Sequence, residues 1–452
     1  MDTFADPQVN INEKKPSIKF QQKTSVNKRI IIGVVIVAVL VVVIGVAIGV
    51  PLSRRGTSDA NMNLALKVLR ETPLIDGHND LPWQMRQFTR NQVHKVNLRE
   101  NTTMQWLHIK KEDMSEPKYP RIYPQTDIPR LKKGMVGAQF WAIFVDCGSQ
   151  DKDAIRQSAL DTTAATHTWI NQYDDAFRLV TTSDGILEAF KANRIASLIG
   201  LEGGHMLGNT MGVLRTFYLL GCRYMTITHS CDTPWADSWK SDLKPSEYNS
   251  TNNITGLNEW GKKVIKEMNR LGMIVDLSHV SKQTMIDSIE ASSAPVIFSH
   301  SSAFGYCNHY RNVQDDVLQM VKKNKGLVMV NFYNGYINCP PNKKENATLS
   351  QVAEHFDYIK NKIGVDYVGV GADYDGVPQM PVGLEDASTY PDLFAELARR
   401  GYKEEELKKI AGENFLRVFK DVENERDRLK GNPPFEDLYP VESLNLPCNT
   451  NF

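Results

Sequence analysis

Short apolar runs alternate with amphipathic stretches from about residue 61 to about 422. The runs are PLIDGH (73–78), VGAQFWAIFV (136–145), IASLIGLE (195–202), YMTITH (224–229), GMIVDLSH (272–279), PVIFSH (295–300), GLVMVNF (326–332) and YVGVGAD (367–373). A β-strand buried on both faces reads as such a run. Helical spacing of apolar positions fills the intervals at 151–173, 183–193, 211–220, 256–271, 281–291, 313–324 and 350–363, and recurs after the last run at 391–400 and 403–420. Eight strands alternating with helices predict a (β/α)8 TIM barrel, each right-handed crossover returning to a parallel neighbour. An open doubly wound sheet competes. It lacks support because no G-x-G-x-x-G turn follows any run, and polar residues close runs spread over the whole series.

A different pattern precedes the barrel. Residues 30–52 are 23 consecutive uncharged, mostly apolar positions, long enough as a helix to cross a hydrocarbon core of about 30 Å. A signal peptide would have a shorter apolar core behind a short basic segment, whereas here 29 residues come first. Those residues, 1–29, are polar without apolar periodicity and predict a disordered cytoplasmic tail. Lys14, Lys15, Lys19, Lys23, Lys28 and Arg29 precede the span, against Arg54, Arg55, Lys67 and Arg70 after it. That asymmetry places the N-terminus inside and the remainder outside, a single-pass type II signal-anchor topology. Residues 53–60 form a polar linker, and 423–452 an irregular C-terminal tail across the surface.

Composition adds two observations consistent with an extracellular location for that remainder. Sequons at Asn101, Asn249, Asn253 and Asn346 all follow the span. So do all six cysteines, at 147, 222, 231, 307, 339 and 448, with no Cys-x-x-Cys pair; disulfides are expected rather than a thiolate metal site. The 53 basic residues balance the 53 acidic ones, which leaves no bulk electrostatic case for nucleic acid.

The chemistry gathers where runs end. His78, Asp80, Glu202, His279 and His300 close or follow four of them, and in an α/β barrel such positions rim the catalytic face. His78 and Asp80, two apart on an extended segment, share a face and can grip one metal. Glu202 precedes Gly203-Gly204, and its carboxylate can bridge two ions; His279 and His300 can serve the second. A pair of ions sharing a hydroxide is a hydrolytic arrangement, and zinc suits His and carboxylate donors best.

The stretches DGHNDLPW, GLEGGH, TITHSCDTPWAD, DLSHVS, PVIFSHSSA, RNVQDDVL, MVNFYNGYI and GADYDGVP occur in one order. Over residues 66–422 they resemble the membrane dipeptidase family of binuclear zinc peptidases. The resemblance implies a zinc-dependent dipeptidase acting through a metal-bridging hydroxide. It places His78, Asp80 and Glu202 on one zinc, Glu202, His279 and His300 on the other, and His229, Arg311 and Asp373 on the substrate. Their chemistry suits those roles: His229 as hydrogen-bond donor to an oxyanion, Arg311 as carboxylate clamp, Asp373 as proton shuttle, with Asp375 its rival. The resemblance also implies Cys147–Cys231 and Cys307–Cys339 disulfides, and a Cys448 bridge between two subunits. Cys222 is left as a buried thiol, and His205, behind the glycine pair, is the least secure of the histidines set aside as structural.

One feature departs from that pattern. The family's C-terminal lipid anchor requires an apolar tail, and this chain ends SLNLPCNTNF. Attachment through residues 30–52 is expected instead. Two alternatives remain: an amide or lactam hydrolase on the same barrel, and a catalytically idle adhesion or receptor module.

Overall fold

The computed structural model describes residues 59–108, 123–147, 154–250, 254–339 and 346–440, with isolated positions 32 and 39. The chain divides into two units, Met1–Asp59 and Ala60–Phe452, and the second is described here. The proposed span 30–52 lies outside the described residues apart from those two positions. Among the described residues no helix is long and apolar enough to cross a membrane.

Among the described residues nine parallel strands form one sheet: β1 Leu74–Asn79, β2 Val136–Ile143, β3 Phe177–Leu179, β4 Ile195–Glu202, β5 Cys222–Thr226, β6 Ile274–Asp276, β7 Ile297–Phe298, β8 Leu327–Val330 and β9 Val368–Val370. Eight of them close into a barrel, because β2 pairs with both β1 and β4 and β1 pairs with β9. β3 is the unexpected element. Its three residues pair only with the start of β4, Phe177 opposite Ile195, leaving β5 to take the end of that edge from Ile199 to Glu202. Three residues carry no periodicity, so nothing in the pattern predicted it.

β4 shows how alternation sorts side chains. Ala196 and Leu198 join an inner apolar cluster with Phe140, Tyr224, Ile274 and Met329, while Ile195, Ile199 and Leu201 join the outer cluster beneath the helices. Glu202 has the parity of the inner set, which turns its carboxylate into the barrel mouth. Phe415 and Phe419 of the last helix complete the inner cluster from below.

The helices match their predicted intervals closely. Glu259–Leu271 starts on Asn258, whose side chain caps Gly261 N–H, and Leu349–Ile363 starts with a Thr348–Gln351 capping box. Shorter helices at Leu81–Thr89, Thr102–His108 and Ile128–Lys133 fill the β1–β2 interval and were not anticipated. The tail boundary also moves. The last helix, Asn414–Arg428, runs past 422, and the segment behind it packs through Trp260 Nε1–H on Asp437 O and Tyr439 O–H on Pro234 O.

Several strands end sooner than their apolar runs do. β5, β6, β7 and β9 stop at Thr226, Asp276, Phe298 and Val370, so His229, His279, His300 and Asp373 stand on the loops just beyond. His279 and Asp373 adopt φ of 69° and 67°, left-handed backbone that is uncommon for non-glycine residues, His and Asp being among those that take it most readily.

Candidate metal centre and substrate pocket

Glu202 lies at the centre of the barrel mouth. Its Oε1 is 3.5 Å from His78 Nε2, 3.1 Å from His279 Nε2, 3.5 Å from His300 Nε2 and 3.7 Å from His229 Nε2. His78 Nε2 also meets Asp80 Oδ2 at 3.1 Å and stands 4.0 Å from Asp373 Oδ1. All five expected ligands therefore converge, with His229 and Asp373 beside them. The β1–β2 register slips between Asp76 and Asn79, an irregularity of the kind that re-aims side chains next to active sites.

The imidazoles of His78, His279 and His300 are each held from behind by a hydroxyl that no sequence motif marks. Tyr224 O–H lies 2.9 Å from His78 Nδ1. Its ring crosses the barrel over Gly200, where a Cβ would stand 2.0 Å from Tyr224 Cζ. Behind His300, Ser299 donates to Asp276 Oδ2 at 2.6 Å and accepts from His300 Nδ1–H at 2.8 Å. The second contact therefore leaves the His300 Nε2 lone pair facing Glu202. His279 Nδ1 lies 3.3 Å from Ser230 Oγ, which accepts Trp239 Nε1–H. The DLSH spelling that suggested His279 contained Asp276 as well, but only folding brings Ser299 against it.

The donor set fits metal. His78–Glu202–His300, Glu202–His229–His279 and His78–Asp80–Asp373 each offer ligand atoms within 4.8 Å of one another. His279 Nε2 and His300 Nε2 approach to 2.9 Å, a meeting of nitrogens that a cation relieves. Burial, with the Arg311 charge and the other imidazoles, keeps His279 and His300 well below the ordinary histidine range, so their lone pairs are free. His78 differs: burial opposes its charge, but Tyr224, Glu202 and Asp80 outweigh it and raise it well above that range. Nitrogen and oxygen donors without thiolate suit zinc and are compatible with manganese.

Above this cluster opens a cavity of about 260 Å³, lined among others by Trp83, Phe144, Tyr333 and Tyr336, below the ~300–1,000 Å³ of drug-sized pockets. Arg311 enters it, 1% exposed. Its guanidinium donates to Ser301 Oγ at 3.3 Å and to the His300 carbonyl at 3.5 Å, and lies 5.2 Å from the Tyr336 ring. Among the described residues no carboxylate stands within ion-pair distance of it. Asp373 also lines the cavity and accepts from Asn331 Nδ2 at 2.8 Å. Burial, with Asp80 and Glu202 nearby, raises its carboxyl above the ordinary range. Asp375 turns away, accepting the Gln125 backbone N–H at 2.5 Å.

The structure forms disulfides Cys147–Cys231 and Cys307–Cys339. Cys222 is free and buried, and Cys448 lies outside the described residues. Asn101, Asn249 and Asn346 are exposed, and Asn253 is outside the description.

A closed parallel barrel whose mouth gathers four imidazoles and three carboxylates has the fold and donor set of a metal-dependent hydrolase. The comparisons narrow this class. Residues 62–432 match the family model described as membrane dipeptidase, peptidase family M19. The chain is 42% identical over 387 residues to dipeptidase 3 of Rattus norvegicus, covering 86% of this chain and 72% of that protein. It is 41% identical to the Homo sapiens dipeptidase 3 over the same shares. Among solved structures, a Rhodobacter sphaeroides metallopeptidase bound to a phosphinate mimic of L-Ala-D-Ala has a TM-score of 0.64 at 23% identity, covering 78% of this chain and 99% of that one. The probable dipeptidase PvdM from Pseudomonas aeruginosa has a TM-score of 0.66 at 18% identity, over 81% and 99%. The chain belongs to the membrane dipeptidase family of metallopeptidases.

Proposed function

We propose that this enzyme hydrolyses the peptide bond of dipeptides that carry a free C-terminal carboxylate. The observation that carries the reading is Arg311, a buried cation without a carboxylate partner among the described residues, in the same small cavity as the donor cluster. Burying an unpaired charge is costly, and an anionic substrate group offsets it. A dipeptide sets its carboxylate one residue from the scissile carbonyl, within such a cavity.

His78, Asp80 and Glu202 would hold one zinc, and Glu202, His279 and His300 the other. When bound, the two ions supply Lewis-acid polarisation of the carbonyl and a water acidic enough to attack near neutral pH. The protein's own groups do the rest. Arg311 holds the carboxylate and fixes the orientation of the bond. His229, half-buried with Nε2 toward Glu202, donates to the oxygen that gains charge. Asp373, its carboxyl raised by burial, takes the water's proton and delivers it to the leaving amine.

The same reading includes attachment through residues 30–52, with the barrel outside the cell, glycans at Asn101, Asn249, Asn253 and Asn346, and a homodimer bridged by Cys448. The charge asymmetry and the side on which cysteines and sequons fall support it. A panel of dipeptides and their C-terminal amides, assayed after chelation and again after zinc addition, tests the activity. Equal rates on acids and amides would rule the carboxylate reading out in favour of a broader amide hydrolase.

A further inference from the structure

His205 is a buried histidine beside the donor cluster for which the chemistry above has no use. It lies three residues past Glu202 and is 6% exposed. Its Nε2 is 2.8 Å from the Val145 carbonyl oxygen, so the ring carries its proton there and donates it. Nδ1 is then a lone pair, buried with no hydrogen-bond partner among the described residues. The backbone is also shaped around the ring. Gly203 has φ of 118°, and a Cβ on it would stand 2.4 Å from His205 Nδ1 and Cε1.

What the ring holds is the strap 144–147 behind β2. Phe144 lies with its ring centroid 4.3 Å from that of His229. Cys147 is bonded to Cys231, two residues past His229, and its Sγ is 3.7 Å from His229 Nδ1. His78, His279 and His300 each have a hydroxyl oxygen against Nδ1, at 2.9, 3.3 and 2.8 Å. Among the described residues His229 has only the sulfur there, and on one face the His279 ring at 4.3 Å. Its orientation therefore depends on packing from the strap, and His205 ties down the strap's backbone.

We infer that His205 is a positioning residue for His229, acting through the strap 144–147 rather than by touching substrate. This rests on the reading of His229 as the donor to the developing oxyanion. Displacing such a donor costs turnover more than substrate binding.

The test uses the full chain loaded with zinc. His205→Leu is expected to lower kcat about ten- to a hundred-fold with KM within about two-fold. His205→Gln, whose amide N–H can still reach the Val145 carbonyl, recovers most of the loss. In a His229→Asn background, His205→Leu is expected to add nothing; independent, additive losses would overturn the inference. A second readout needs no activity. Hydrogen exchange of His205→Leu is expected to rise in peptides covering 144–147 and 227–231 and to stay level around His300; unchanged exchange there overturns the inference too. If wild-type protein cleaves no dipeptide, the functional reading fails and the exchange experiment alone decides the positioning role. If His205→Leu does not fold, His205→Asn, polar but too short to reach Val145, takes its place under the same criteria.

Discussion

Arg311→Met is the most informative single perturbation, because it is expected to lower activity without lowering stability. The guanidinium is 1% exposed, with two hydrogen bonds at 3.3 and 3.5 Å and an aromatic face at 5.2 Å, and no carboxylate among the described residues neutralises it. Removing one partner of a buried, hydrogen-bonded charge pair costs about 2–5 kcal/mol. At about 1.4 kcal/mol per factor of ten, that is a loss of roughly 30- to 5,000-fold in kcat/KM for a dipeptide. Methionine keeps the apolar length of the side chain and removes a charge that the free protein solvates poorly, so thermal stability is expected to hold or rise. The assay is a two-by-two comparison: wild type and variant, each on a dipeptide and on its C-terminal amide. Wild type is expected to discriminate strongly against the amide, and the variant hardly at all. If the variant keeps the wild-type discrimination, the carboxylate is bound elsewhere and the reasoning from Arg311 fails.

The other expectations follow from geometry and burial. Asp373→Asn is expected to abolish turnover while metal content, measured by elemental analysis, stays at the wild-type level; Asp375→Asn is expected to spare chemistry and lower the melting temperature, since Asp375 anchors Gln125. Tyr224→Phe removes only the hydroxyl against His78 and is expected to weaken metal affinity about 10- to 100-fold in chelator competition, whereas Gly200→Ala, which drives a methyl into the Tyr224 ring, is expected to cost about 1–3 kcal/mol in denaturant unfolding as well. His355 accepts Ala303 N–H on Nδ1 and donates from Nε2 to Ile337 O, and burial pushes its pKa down to about 4. The unfolded chain therefore binds a proton between about pH 6.5 and 4 that the folded one refuses, so this group's contribution is full above about 6.5 and is lost as pH falls, by about 2 kcal/mol at pH 5. Denaturant midpoints at pH 7 and 5 are expected to differ less in His355→Gln. Finally, burial pushes the Cys222 thiol up to about 12, so alkylation at pH 8 is expected only after unfolding.

Much of the architecture was legible from pattern alone. Apolar runs at strand length, alternating with helical spacing, are dictated by burial on both faces of a parallel sheet, and each of the eight runs overlaps a barrel strand. Polar residues that interrupt such runs at their ends are chemically conspicuous, so His78, Asp80, Glu202, His279 and His300 could be named before any coordinates. The family resemblance then named the two disulfide pairs, which composition and spacing left open. Other features had no such signal. β3 is too short for a period, the β1–β2 helices are brief, and the loops carrying His229, His279, His300 and Asp373 begin two or three residues earlier than the apolar spelling suggests.

Tertiary structure decided what depends on proximity across the barrel. Asp373 and Asp375 are two residues apart and identical in chemistry, and left-handed backbone at both sends one into the cavity and the other onto Gln125. Tyr224 behind His78, Ser299 and Asp276 behind His300, and His205 beneath the strap join residues separated by up to 146 positions. Local sequence determines which face a side chain takes, because the two-residue period of a strand is a short-range property. Which partner it then meets, and therefore which nitrogen is left free to bind, is set by barrel closure, which no local pattern encodes.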